Sequence, residues 1–156
     1  MSQNRKHHAT ISLERFFPET PRRVFAEFAD PVARARWSAP AGDALIYDES
    51  DFKVGGRDVF RCGPTGDLKF RAETRYLVIV PDTCVISSET LETEGQLLAV
   101  SLNTLEIEPS SKGATLRLTI QIASSVGEGM VKGYESGNKS ALEGLAAHLA
   151  NSGHRE

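Results

Sequence analysis

Cysteine is scarce in this chain of 156 residues: Cys62 and Cys84 are the only two. Two are too few for a disulfide framework, and they do not form a CxxC pair, so both read as buried thiols in a reducing compartment. Long apolar runs are also missing. No segment approaches the roughly 20 apolar residues that a membrane-spanning helix needs. Met1 to Ala9, with Arg5, Lys6, His7 and His8, lacks the apolar h-region of a secretory signal. The expected location is the cytoplasm, with no membrane partner. Basic charge is not concentrated either. Eighteen Lys and Arg stand against 21 Asp and Glu, a net charge of −3, and their scatter leaves no footprint for nucleic acid.

Histidine is confined to the ends of the chain, at His7, His8, His148 and His154. That leaves a Ser or Cys nucleophile without a base near the strands that would line a cavity, so no catalytic residue is assigned. Metal ligands do not converge: neighbouring His7 and His8 point in different directions, and Cys62 has no partner at a recognisable spacing. No metal and no cofactor is expected.

What the sequence does have is enough for one core, with 40% hydrophobic residues. The reading is a single domain over 10–151, between a polar N-terminal tail, 1–9, and a C-terminal tail, 152–156. Thr10 to Phe17 alternates as a strand and Pro18 ends it. Thr20-Pro21 and Asp30-Pro31 each place an N-cap residue before a proline suited to the first helical position, predicting two short helices that lead to Trp37. From Asp43 to Ile122, turn signals such as Val54-Gly55-Gly56, Pro81-Asp82 and Thr93-Glu94-Gly95 divide the chain into an antiparallel meander.

In the stretch Leu68 to Val80 the even positions are apolar or small and the odd ones are mostly charged, which puts Phe70, Ala72, Thr74, Tyr76, Val78 and Val80 inward. Leu77 and Ile79 break the polar side, leaving room for a partner subunit on the outer face and so for a homodimer. Leu116, Leu118, Ile120 and Ile122 point inward by the same parity.

The period then changes to that of a helix, roughly Gly127 to Asn151, with Val131, Tyr134, Asn138, Ala141, Leu142, Leu145 and Leu149 on one stripe. Gly129, Gly133 and Gly137 recur beside it, each weakening a helix by about 1 kcal/mol relative to alanine. Two reasons for them are open: close approach of helix and sheet, or room for a ligand beneath the helix.

Strand, two short helices, meander and long terminal helix is an order shared with known proteins. With it go Pro21-x-x-Val24-Phe25, Asp30-Pro31, Arg36-Trp37, Gly55-Gly56-Arg57, Tyr76 to Pro81, Thr115 to Thr119, and the run from Gly133-Tyr134 to Leu145. Together these resemble the SRPBCC superfamily, in particular bacterial proteins similar to the C-terminal domain of the heat-shock protein 90 ATPase activator. The resemblance implies an α+β helix-grip (START-like) fold: a curved antiparallel sheet of about six to seven strands around the C-terminal helix, with a hydrophobic cavity between them. It does not imply one activity. Ser38 stands where relatives often carry a second aromatic, and Tyr134 or a small neighbour where they often carry a tryptophan, changes that widen the pocket or make it more polar. With only about nine polar residues ahead of the first strand, a chaperone partner is not expected.

Inward positions then give a candidate cavity lining. Trp37, Phe60, Phe70, Tyr76 and Tyr134 supply apolar walls, and Ser88, Ser101, Asn103 and Asn138 supply polar contacts, a mixture typical of small-molecule sites. Asp48, Glu49 and Asp51 read as a solvated strand end, and Gly55-Gly56-Arg57 as a hairpin turn without the Lys-Ser/Thr of a phosphate loop. The reading favoured by the sequence is a non-enzymatic protein holding a small hydrophobic or aromatic molecule. The alternatives are a cyclase- or hydrolase-like enzyme using the same cavity, and a co-chaperone-like or stress-response interaction module.

Overall fold

The computed structural model describes residues 6–153. Its elements follow in the order β1 (His7–Phe17), α1 (Pro21–Ala29), α2 (Pro31–Trp37), β2 (Asp43–Ser50), β3 (Arg57–Pro64), β4 (Phe70–Val80), β5 (Cys84–Thr93), β6 (Gln96–Ser110), β7 (Gly113–Ser124) and α3 (Glu128–Gly153). The seven strands form one antiparallel sheet in the order β1-β7-β6-β5-β4-β3-β2. Apart from β1, which closes the sheet beside the last strand, every strand lies next to its sequence neighbour. This is the α+β helix-grip arrangement.

Local chemistry sets the boundaries. The Thr20 hydroxyl accepts from the Arg23 backbone N–H at 3.2 Å, and Asp30 accepts from that of Val32 at 3.0 Å, so both expected N-caps act as caps. The β5–β6 hairpin turns on Glu94 and Gly95, with φ of 49° and 78°. Two successive positive φ values suit the twist of a two-residue hairpin.

The ends differ from the expected boundaries. His7 and His8 are not tail residues but the first residues of β1, pairing with Ser124 and Ala123. At the other end α3 runs on to Gly153. Of the expected tails, residues 1–5 and 154–156, including His154, lie outside the described residues.

β4 also departs from strict alternation. Its inward parity holds from Phe70 to Tyr76, but the pairing with β5 shifts between Tyr76 and Val78. The extra residue, Leu77, forms a bulge that exchanges the faces beyond it. Ile79 therefore packs against the main core, whereas Val78 and Val80, expected inside, are exposed on the outer face beside Leu77.

The core has two parts. The larger joins α1 and α2 to the sheet and to Leu142, Leu145 and Leu149 in the C-terminal half of α3. The smaller, built on Ile11, Ala99, Ile120 and Ile122, packs against Met130, Val131 and Tyr134 near the start of that helix. Between them the helix stands off the sheet.

Candidate functional site

The space left between the sheet, the end of α2 and the N-terminal half of α3 is a cavity of about 750 Å³, within the range of small-molecule sites. Gly129, Gly133 and Gly137 all line it, and a Cβ placed on any of them meets no atom within 4 Å. Close backbone approach does not explain this row. It does explain Gly144, about two turns further on in the packed half of α3, where a Cβ would lie 2.5 Å from the carbonyl oxygen of Trp37. One helix thus uses glycine in two ways: as a close contact where it is anchored and as open space where it covers the cavity.

Most of the wall is apolar or aromatic. Trp37 meets Phe28 edge-on at 5.0 Å between centroids, and Phe60 is tilted against Tyr47 at 5.5 Å. Phe70 continues this wall along β4, and Tyr76 packs edge-on against Phe52 at 4.9 Å. Trp37, Phe60, Phe70, Tyr76, Asn103, Tyr134 and Asn138 are thereby brought together around one space.

Two of the expected residues are not on that surface. Ser88 pairs with Arg75 on β4 and Leu102 on β6, both exposed, and so faces outward; its neighbour Ser87 takes the inward place. Ser101 does point inward, but it is buried behind the cavity surface.

Polar side chains cross the floor in a band. Asp58 pairs with Thr74, Thr74 with Glu89, and Glu89 with Ser101 on four successive strands. Period two puts all four on one face, so a carboxyl stands on either side of Thr74.

The two carboxyls have opposite surroundings. Asp58 is 1% exposed. Its Oδ2 accepts from Arg34 at 2.6 Å and from the Tyr76 hydroxyl, and its Oδ1 accepts from Ser50 at 2.7 Å and from the Asp51 backbone N–H at 3.2 Å. Burial works against its charge, but the hydrogen bonds from Tyr76 and Arg34 outweigh it and hold the carboxyl below its ordinary range. Arg34 also lies over the Tyr47 ring at 4.8 Å, tying α2 to β2, β3 and β4.

Glu89 has no such cation among the described residues. Its Oε1 accepts from the Thr74 hydroxyl at 3.1 Å and its Oε2 from the Tyr134 hydroxyl at 3.1 Å. Protein surrounds it except where it opens onto the cavity. Burial is the dominant influence and raises its pKa; the two hydroxyls oppose this and Asp58 adds to it. Tyr134 is in turn raised, chiefly by burial and then by Glu89. Nearby, burial pushes the Tyr47 phenol up to about 12 and the Cys62 thiol up to about 11, leaving Cys62 a poor nucleophile at neutral pH.

Glu89 and Thr74, like Arg34, Tyr47, Asp58 and Cys62, were not among the expected site residues. A signal for Glu89 was present: Val85, Ser87, Glu89 and Leu91 share a parity whose apolar members belong inside. A charged residue in such a series marks an inward polar group.

The other expected features fall elsewhere. Asp48 is bound to Arg61 at 2.8 and 2.9 Å, and Glu49 to Arg57 at 3.0 and 3.1 Å, both as exposed pairs. His148 Nε2 is 2.7 Å from Glu27 near the end of α3, outside the cavity. Among the described residues no three His, Cys, Asp or Glu are grouped to hold a metal, and no helix is long and apolar enough to cross a membrane.

Comparison with known proteins places the chain among relatives of the same fold. The family model described as activator of Hsp90 ATPase homolog 1-like protein matches residues 19–150. Protein Mll3558 from Rhizobium loti is 36% identical, with 93% of this chain and 99% of that one covered and a TM-score of 0.83. Protein CV1439 from Chromobacterium violaceum is 27% identical over 90% and 96% of the two chains, with a TM-score of 0.79. The SPO3351 protein from Silicibacter pomeroyi shares the fold at 24% identity and a TM-score of 0.73, covering 92% of this chain and 99% of its own. No curated protein matches the chain.

Proposed function

This chain belongs to the family of activator of Hsp90 ATPase homolog 1-like proteins, and from that starting point we propose that it binds a small, largely apolar molecule in the cavity beneath α3. The observation that carries this reading is the glycine row: three helix-weakening residues with nothing beneath them, over a cavity of about 750 Å³. A helix selected only for stability and packing would carry larger side chains there. Trp37, Phe60 and Phe70 supply apolar contact, while Glu89, Tyr134, Asn103 and Asn138 supply the few polar groups that orient a ligand.

A second reading, enzymatic turnover in the same cavity, has one observation in its favour. Glu89 is an inward carboxyl whose pKa is raised, beside the hydroxyl of Tyr134, and such a group can serve as a general acid. The interaction-module reading asks for an exposed apolar patch and a cavity filled by the protein's own side chains. Leu77, Val78, Val80, Val100 and Leu102 are exposed on the outer face, but the cavity is not filled.

Native mass spectrometry of protein purified from its own host, followed by thermal shift with the recovered compounds, tests the proposal. Binding should raise the melting temperature with ligand concentration, and Tyr134→Ala should weaken that response. If nothing is retained, no metabolite shifts the melt and Tyr134→Ala changes no binding signal, the proposal is wrong. Conversion of the recovered compound to a new mass would favour the enzymatic reading.

A further inference from the structure

The two carboxyls beside Thr74 pose a problem of charge. Asp58 has Arg34 against it, together with Tyr76 and Ser50. Glu89, one strand further on, has the hydroxyls of Thr74 and Tyr134, and the charge that acts on it is that of Asp58, of the same sign. Arg34 cannot serve both, because it is held by Asp58 and lies over Tyr47. No ion pair joins Glu89 to a Lys, Arg or His among the described residues. A buried carboxylate is tolerated when a cation pairs with it; otherwise it holds its proton.

Glu89 also opens onto the cavity, whose wall near β2, β3 and β4 carries the rings of Tyr47, Phe60 and Phe70. Carboxylate together with aromatic faces is a setting suited to an organic cation, since the faces of such rings attract positive charge. We infer that the molecule bound here is a protonated organic amine, its apolar body against the aromatic wall and its ammonium group at Glu89. This rests on the cavity-binding reading above and adds the chemical class of the ligand. A carboxylate ligand would bring its negative charge towards that of Asp58, and towards Glu89 as well once Glu89 ionises. A neutral alcohol would keep one hydrogen bond to Glu89 but lose the charge, and hydrogen bonds to charged groups are roughly twice as strong as neutral ones.

Binding of an amine should depend on pH with a defined sign. The ammonium group, with a pKa near that of lysine at about 10, stays charged between pH 5 and 8. Glu89 loses its proton as pH rises, so amine affinity should rise. The other groups around it are Asp58 on β3, held below its ordinary range, Cys62 on β3 at about 11, Tyr47 on β2 at about 12, and Tyr134 on α3, also raised. Arg34 on α2 is held as a cation, and Asp43 and Lys69 stand on the cavity wall.

Isothermal titration with four molecules of one shape tests the inference: 2-(1-naphthyl)ethylamine, 2-(1-naphthyl)ethanol, 1-ethylnaphthalene and 1-naphthylacetate. The amine should bind the wild-type protein at least about tenfold more tightly than the alcohol, the carboxylate should bind most weakly, and amine affinity should increase as pH rises from 5 to 8. Glu89→Gln, nearly isosteric, should bring the amine to the level of the alcohol and leave the hydrocarbon unchanged. The wild-type ranking needs no variant and stands even if Glu89→Gln folds poorly. Equal binding of amine and alcohol, tightest binding of the carboxylate, or an amine affinity indifferent to Glu89→Gln would overturn the inference while hydrocarbon binding upheld the cavity. Failure of all four would overturn both.

Discussion

Glu89 links the polar chemistry of the site to the stability of the domain. Its pKa is raised in the folded state, chiefly by burial, whereas in the unfolded chain it titrates near the ordinary glutamate value of about 4.3. Below that value both states carry the proton. As pH rises through the folded-state pKa, the unfolded chain has already released its proton, and the contribution of Glu89 to stability is lost. Glu89→Gln removes this dependence. The difference in melting temperature between variant and wild type should therefore move in favour of the variant from pH 5 to pH 8. A constant difference, or one moving the other way, would mean that Glu89 is not the buried acid described. The same residue shows how the sequence can mislead at this scale. Ser88 and Ser87 are adjacent and chemically alike, so choosing between them depends wholly on the register of β5, which Val85 and Leu91 fix in favour of Ser87 and Glu89.

At the scale of the element, α3 has two working halves with different requirements. Leu142, Leu145 and Leu149 anchor the C-terminal half in the main core, and Gly144 lets it rest on the end of α2. The N-terminal half stands over the cavity. Alanine substitutions separate the two uses of glycine. Gly133→Ala should stabilise the protein by up to about 1 kcal/mol, because its Cβ meets open space and helix propensity improves. Gly144→Ala should destabilise it by about 1–3 kcal/mol, because its Cβ is driven against the Trp37 carbonyl. Urea unfolding midpoints of the two variants measure this; shifts of the same sign would contradict the division.

Much at this scale was legible in the sequence. Helical period, the capping residues Thr20 and Asp30, and turn glycines are local signals, and they placed α1, α2, α3 and the meander. The bulge at Leu77 was not legible: Leu77 to Val80 is apolar on both parities, so only pairing with β5 decides which side Ile79 takes. The entry of His7 and His8 into β1 likewise depends on the partner strand β7.

For the whole molecule, one sheet, two core clusters and an unfilled middle form a single arrangement. The order of elements gave the helix-grip fold because strand neighbours in the sheet are mostly sequence neighbours. Whether the interior is filled is a matter of volume, which no parity argument reports; the missing Cβ atoms of Gly129, Gly133 and Gly137 supply the answer. The polar band escaped for a related reason. Asp58, Thr74 and Glu89 are 31 residues apart from first to last and become neighbours only through the β3–β4 and β4–β5 registers.

The central claim, an open cavity beneath the glycine face of α3, is tested most directly by titrating the protein with the neutral fluorophore 1,6-diphenylhexatriene. The wild-type protein should give a saturable increase in fluorescence with one site per chain. Gly137→Leu, whose side chain would enter the cavity, should weaken this at least about tenfold without lowering the melting temperature. Absence of saturable binding to the wild-type protein, or equal binding to Gly137→Leu, would contradict the claim.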